Sequence, residues 1–375
     1  MHIAFLNIYG GRVNRGAETA VAEIAKRLSR VHSVTVYQSG KKKEEGYPVV
    51  TISTIPVVST DVSQSVILKL LKKLYLDPYS LMVLFFSLRL LPQLLASPYD
   101  ILIPINGFWQ IIICKLVQVF KGGKIVVMGY AGIGGDDYVN LKLSPDAFFA
   151  MTTTASLWAK KVASQHVHIG VIPGGVDTSV FRPTVYPRQL PLKRPIILTV
   201  AALVPYKRVD LTIAAVSRLK EVSLVVAGNG PLREKIESQG KSLLGERFLR
   251  IDVNHEALPQ LYTAADVFTL PSQAQRSSLF SSLTKQSSFE AFGIVYVEAM
   301  ASGLPVVGPD DDLRREIIGD AGILVDCARI DDYAKALGDA LSRKWNDIPR
   351  KQAMKFDWDH VTQLFDKELA AFSSD

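Results

Sequence analysis

Two rhythms of apolar and polar positions alternate along most of the chain. Short unbroken runs rich in Val and Ile are followed by longer stretches with apolar residues three and four apart, the spacing of amphipathic helices. The runs predict strands at Ile3–Ile8, Ser33–Tyr37, Val49–Ile52, Ile101–Ile105, Lys124–Met128, Ala147–Met151 and Val167–Ile172. A second series follows at Pro195–Val200, Ser223–Ala227, Phe248–Ile251, Val267–Leu270, Leu304–Val307 and Gly322–Val325. Continuous hydrophobicity marks parallel strands covered on both faces. Strand–helix repetition of this kind gives an α/β, doubly wound, Rossmann-like sheet, and it occurs twice. The break falls after Ile172, where Pro173-Gly174-Gly175 opens an aperiodic stretch holding Pro183, Pro187, Pro191 and Pro195. A helix over Trp358–Phe372 follows the second sheet. The expected domains are 1–180 and 181–355, with 356–375 as a terminal helix.

One helical pattern has a different use. Val66–Tyr75 sorts Val66, Ile67, Leu70, Leu71, Leu74 and Tyr75 onto one face and Lys69, Lys72 and Lys73 onto the other. Leucine-rich, lysine-backed helices lie in the headgroup zone of anionic bilayers, so 66–75 is expected to meet a membrane surface. The Leu81–Leu95 run adds apolar surface. Arg89 and Pro92 interrupt Ser80–Ala96, which keeps it short of the ~20 uninterrupted apolar residues of a membrane span.

Composition narrows the picture. At 375 residues and 48% hydrophobic content, the chain can fill two cores. Two cysteines, Cys114 and Cys327, form no disulfide framework and fit a reducing cytosol. The first residues, MHIAFLNIYGG, read as a buried strand rather than a signal peptide. Cytoplasmic placement, peripheral on the inner membrane face, is therefore expected. Net charge is +7, and residues 62–135 hold seven basic side chains against two acidic ones. No nucleic-acid motif accompanies that excess, so no nucleic-acid partner is expected.

The candidate chemistry concentrates in Phe289–Val307, FEAFGIVYVEAMASGLPVV. A helix opening at Gly293 offers unpaired N–H groups and a positive dipole end to a phosphate. Glu290 stands just before that opening and Glu298 inside the helix, and carboxylates accept hydrogen bonds from hydroxyls. The combination suits a nucleotide sugar. Lys207 and Arg208 follow the strand Ile197–Val200, at an edge where α/β sheets bind ligands, and both are standard phosphate partners. Gly228-Asn229-Gly230 forms a turn after the next strand. Gly16 lies in a glycine-bearing loop after the first strand, without the dinucleotide fingerprint. The Ser-rich stretch Ser272–Ser288 exceeds ordinary loop length. All six histidines read as structural or surface residues.

The Phe289–Val307 stretch closely resembles the donor-binding signature of retaining glycosyltransferases of family 4. IPGGVDTSVF from Ile172 resembles that family's inter-domain segment, and the resemblance is stronger from Pro195 onward. It implies a GT-B architecture: an acceptor-side first domain facing a nucleotide-sugar-binding second domain, with the last helix crossing back to the first. It also implies a hexosyltransferase moving a sugar from a nucleoside diphosphate sugar to a glycan or lipid-linked acceptor. Glu290 would then hold the sugar, Glu298 the ribose, and Lys207 with Arg208 the leaving diphosphate. Phe292, Gly293, Ile294, Gly16, Gly228, Asn229 and Gly230 would line the donor site, with neither metal nor cofactor. Two departures stand out. Gly129–Asp137 lacks the histidine many members carry there, and Ala202 stands near the family's usual arginine. A non-catalytic nucleotide-sugar-binding subunit and a hydrolysing epimerase on the same fold are the alternatives.

Overall fold

The computed structural model describes residues 1–13, 16–41, 46–55, 71–72, 74–272 and 291–373. Glu290, most of Val66–Tyr75 and nearly all of the Ser-rich stretch lie outside them. The chain forms two compact units, Met1–Ile172 with Thr362–Asp375, and Pro173–Val361.

The first unit is built on a seven-stranded sheet, parallel throughout. Its strands are β1 (His2–Asn7), β2 (Ser33–Gln38), β3 (Val49–Thr51), β4 (Ile101–Pro104), β5 (Lys124–Gly129), β6 (Ala147–Ala150) and β7 (His168–Val171). They run in the order β3-β2-β1-β4-β5-β6-β7, so the winding reverses between β1 and β4. Ile3 is paired with Val34 on one side and Ile101 on the other, and is fully buried. Helices α1 (Gly16–Leu28), α2 (Pro78–Ala96), α3 (Phe108–Lys121), α4 (Gly135–Lys142) and α5 (Thr153–Val162) cover the sheet. Right-handed crossovers put α1 on one face and α2 and α3 together on the other.

Helix α2 runs through the two residues that the sequence suggests would interrupt it. Asp77 caps it by accepting hydrogen bonds from the Tyr79 and Ser80 N–H groups, with Pro78 in the first turn. Pro92 frees the carbonyl of Leu88, four residues back, which lies on the exposed side of the helix. The opposite side, with Met82, Phe86, Leu90 and Leu94, is fully buried in the core of the unit. Continuous inner packing therefore carries the helix past the proline.

The second unit holds β8 (Ile196–Val200), β9 (Ser223–Ala227), β10 (Phe248–Ile251), β11 (Val267–Thr269), β12 (Val306–Pro309) and β13 (Gly322–Val325). All are parallel, in the order β10-β9-β8-β11-β12-β13, so this sheet reverses between β8 and β11. Its helices are α6 (Val209–Val216), α7 (Arg233–Leu244), α8 (Leu258–Tyr262), α9 (Ile294–Ala301), α10 (Asp312–Ile318), α11 (Ile330–Ser342) and α12 (Ile348–Met354). The strand expected at Leu304–Val307 begins at Val306 instead. Gly303 takes a left-handed φ of 90°, and the Leu304 N–H turns back 3.0 Å to the Ala299 carbonyl, closing α9 before the ladder starts.

The last helix, α13 (Trp358–Ser373), starts in the second unit and finishes in the first. Its Phe365 ring packs on Phe5 and Phe149, and Asp366 and Glu368 reach His32 and His168 at 2.6 and 2.8 Å.

Candidate functional site

Open α/β sheets bind ligands beyond the carboxyl ends of their strands, where the winding reverses. In the second unit that point lies between β8 and β11. The segment after β8 carries Lys207 and Arg208, and the chain after β11 leads to the start of α9. A short 3₁₀ turn, Pro205–Lys207, ends at Arg208, whose φ of 50° and ψ of 38° are left-handed. Non-glycine residues visit that region rarely, and such backbone clusters at functional sites. Arg208 also pairs with Asp210, Nε to Oδ1 at 3.3 Å, and the Lys207 ammonium lies 5.4 Å from the centre of the Tyr206 ring. The acidic Asp210 explains how a cation is tolerated at the start of α6.

The Gly228-Asn229-Gly230 turn is fastened to the segment after β8. Leu203 N–H donates to the Asn229 carbonyl at 2.9 Å, and Leu232 N–H donates to the Leu203 carbonyl at 3.0 Å. A side chain at position 228 would come within 1.9 Å of the Ala201 carbonyl oxygen, so only glycine permits this approach. The N–H groups of Gly228 and Gly230 are already bonded, to the Ile251 carbonyl and to Asn229 Oδ1. This turn therefore shapes the neighbouring segment rather than offering those two groups to a ligand.

At α9, Gly293 stands at the N-cap with φ 87°, and Ile294 opens the helix. The Tyr296 N–H donates to the Gly293 carbonyl at 3.0 Å, and by helix geometry those of Ile294 and Val295 have no partners within the helix. The Phe292 side chain is buried against Phe356, with ring centres 5.5 Å apart, and against Gly174. Phe292 thus fixes the entry to the helix, and only its backbone remains to meet a ligand.

Glu298 is 3% exposed, and each carboxylate oxygen has a partner. His255 Nε2 lies 2.9 Å from Oε1, and the Tyr262 hydroxyl donates to Oε2 at 2.9 Å. The chain leaving β10 carries both, His255 on a 3₁₀ turn and Tyr262 at the end of α8. Tyr262 is fully buried, whereas the His255 side chain is 57% exposed, so His255 is the solvent-side neighbour of the carboxylate. The hydrogen bond to Glu298 raises the His255 pKa above its ordinary value against the opposing effect of partial burial, and the charge of Glu256 adds to the rise. The edge of the Phe181 ring also packs on it, 5.7 Å between centres. A carboxylate has about four lone-pair sites, so Glu298 keeps acceptor capacity for hydroxyls. His255 is thus a structural partner of the carboxylate, as the reading of all six histidines as structural or surface residues allows. No local spacing announces it, because its partner lies on a distant helix.

Gly16 begins α1 in the first unit, with nothing near the side chain it lacks. Beside it, Glu18 joins Tyr9, Ala17, Tyr79, Ile105 and Asn106 around a cavity of about 370 Å³, where the first sheet reverses. The segment after β5 leads into α4, which carries Asp137 in its first turn. That carboxyl is 2% exposed and accepts from the Ala131 N–H at 3.1 Å, and burial pushes its pKa up to about 8.

Comparison with solved structures covers both units. HepE of Anabaena, solved with UDP and glucose, matches 98% of this chain and 99% of its own at a TM-score of 0.71 and 16% identity. Sucrose-phosphate synthase from Thermosynechococcus elongatus matches 99% of each chain at a TM-score of 0.70 and 18% identity. The fold is GT-B. Within this GT-B chain, residues 186–356 match the family described as glycosyl transferases group 1. A GDP-mannose-dependent alpha-(1-6)-phosphatidylinositol monomannoside mannosyltransferase of Mycolicibacterium smegmatis is 30% identical over 203 residues, half of each chain. Sulfoquinovosyl transferase SQD2 of Arabidopsis thaliana is 25% identical over 205 residues, 50% of this chain and 37% of its own. The GT-B chain thus spans half or less of these two curated relatives.

Proposed function

We propose that this protein is a retaining glycosyltransferase that moves a sugar from a nucleoside diphosphate sugar to a hydroxyl of a lipid-linked glycan or polysaccharide, on the cytoplasmic side of a membrane. The observation that carries the reading is Glu298. It is a buried carboxylate with acceptor capacity to spare, on a helix whose N-terminus opens where the second sheet reverses. The match of residues 186–356 to glycosyl transferases group 1 supports it. So do the relatives, one named for GDP-mannose and a phosphatidylinositol mannoside, and the UDP held by HepE.

In this reading the ribose hydroxyls bond to Glu298, and the diphosphate lies against the first N–H groups of α9 and the charges of Lys207 and Arg208. Glu290, outside the described residues, orients the sugar. The bond from the anomeric carbon to the diphosphate oxygen breaks as the acceptor oxygen bonds on the same face. The acceptor's proton passes to the departing diphosphate. Two cations and a helix N-terminus supply the charge that a divalent ion would otherwise provide, so turnover should persist with chelator present. Removing Lys207 should cost on the order of 10²–10³ in rate, as for other groups that stabilise developing negative charge.

The test is nucleoside diphosphate release from UDP-, GDP- and ADP-sugars, with chelator, with and without a membrane lipid extract. Release from one donor that rises with lipid supports the transferase. A free epimerised sugar would identify a hydrolysing epimerase, and donor binding without turnover in any mixture would identify a non-catalytic subunit.

A further inference from the structure

Helix α2 lacks the polar outer side of an ordinary surface helix. A helix that packs one side on a sheet normally turns charged residues outward, and one that is apolar all round is normally enclosed. Opposite the buried Met82, Phe86, Leu90 and Leu94 stand Leu81, Leu84, Phe85 and Leu88, and Phe85 and Leu88 are exposed. Arg89 is the only charge on the helix. Pro78–Ala96 is long and apolar enough to cross a membrane by length and composition, yet its inner side is committed to the sheet. It is therefore placed to lie on a bilayer rather than to span one.

Helix α3 packs beside α2 on the same face of the sheet and extends the apolar surface. Its exposed residues include Leu116, Val119 at 79% and Phe120 at 69%. Exposed apolar areas of this kind mark interaction sites. Charge indicates the partner. From Pro78 to Lys124 the basic residues are Arg89, Lys115, Lys121 and Lys124, against the single acid Asp100. Lys121 at the end of α3, Arg89 on α2 and Lys72 just before α2 are all exposed. Leucine and phenylalanine flanked by cations with almost no acids is the composition that enters the headgroup zone of an anionic bilayer.

We propose that the outer sides of α2 and α3 dock the first unit on an anionic lipid surface, with Phe85, Leu88, Leu116, Val119 and Phe120 entering the headgroup zone and Lys72, Arg89 and Lys121 facing lipid phosphates. The proposal is independent of the transferase reading, since none of these residues belongs to the nucleotide site.

The test is flotation of the full chain with vesicles of phosphatidylcholine, with or without phosphatidylglycerol. The wild type floats with the phosphatidylglycerol vesicles and is released as salt rises. Val119→Glu/Phe120→Glu reduces bound protein at least about tenfold, because two apolar anchors become like charges to the lipid. Both side chains face outward, so the variant keeps its melting temperature and its nucleotide binding, which shows that it has folded. Wild-type protein that stays with neither vesicle, or a variant that floats as well as the wild type, overturns the proposal. Light scattering provides a second reading. A wild-type dimer made monomeric by the same variant, without vesicle binding, would assign the surface to a second copy of the chain instead. Nucleoside diphosphate release is scored separately, so failure of docking is distinguishable from failure of the transferase reading.

Discussion

At the residue scale the nucleotide reading rests on Glu298 and the two side chains that hold it. Glu298→Gln keeps the shape of the group but removes its charge. Hydrogen bonds to a charged acceptor contribute about 1.5–3 kcal/mol, so nucleoside diphosphate affinity should fall roughly tenfold to a hundredfold by calorimetry. His255 gives a pH signature. Its pKa is raised in the folded protein, chiefly by the hydrogen bond to Glu298. The stability it contributes is complete below the ordinary imidazole value of about 6.5 and is lost as pH climbs through the raised folded value. Melting curves of wild type and His255→Gln should therefore be furthest apart in mild acid and converge above neutrality; a constant gap would remove the charge from the account. Of this site, the carboxylate and the helix opening were legible, because FGI and two glutamates fall within one segment. The clamp was not, because His255 and Tyr262 stand 43 and 36 residues before Glu298 in the chain.

At the scale of elements, hydrophobic runs predicted all thirteen described strands, since strands buried on both faces leave an unbroken apolar trace. Boundaries were less legible. The start of β12 depends on how α9 closes at Gly303, and the length of α2 depends on inner packing that outweighs Pro92. The purpose of Gly228 was hidden for a similar reason, because the carbonyl it accommodates belongs to Ala201, a strand away. Arg350 shows how single side chains fasten elements. From α12 its guanidinium donates to the carbonyls of Thr178 and Phe181 in the linker and of Ala301 at the end of α9, at 2.8, 2.6 and 2.7 Å. Arg350→Ala leaves three carbonyls without that partner and should cost about 2–4 kcal/mol in denaturant unfolding of the second unit. A loss below about 0.5 kcal/mol would mean that water replaces the guanidinium freely.

At the scale of the whole molecule, two sheets of the same winding each reverse near their centre, and each carries polar side chains where they do. That doubling was visible as a repeated strand–helix rhythm. The docking surface was only half visible: the leucine run from Leu81 was plain, but whether its outer side is covered is a property of the folded unit. The shared helix α13 has a consequence for how the protein is made. Residues Thr362–Ser373 belong to the unit formed by the earliest part of the chain, so that unit waits, through synthesis of the entire second one, for the segment that covers Phe5 and Phe149. Domains made first usually fold first on the ribosome. Here the order is inverted, and a stop codon after Val361 should leave the second unit resistant to protease while the first is digested, a pattern readable from the fragments by mass spectrometry. A frameshift in the codons for Thr362–Ser373 would thus damage the unit to which Met1–Ile172 belong.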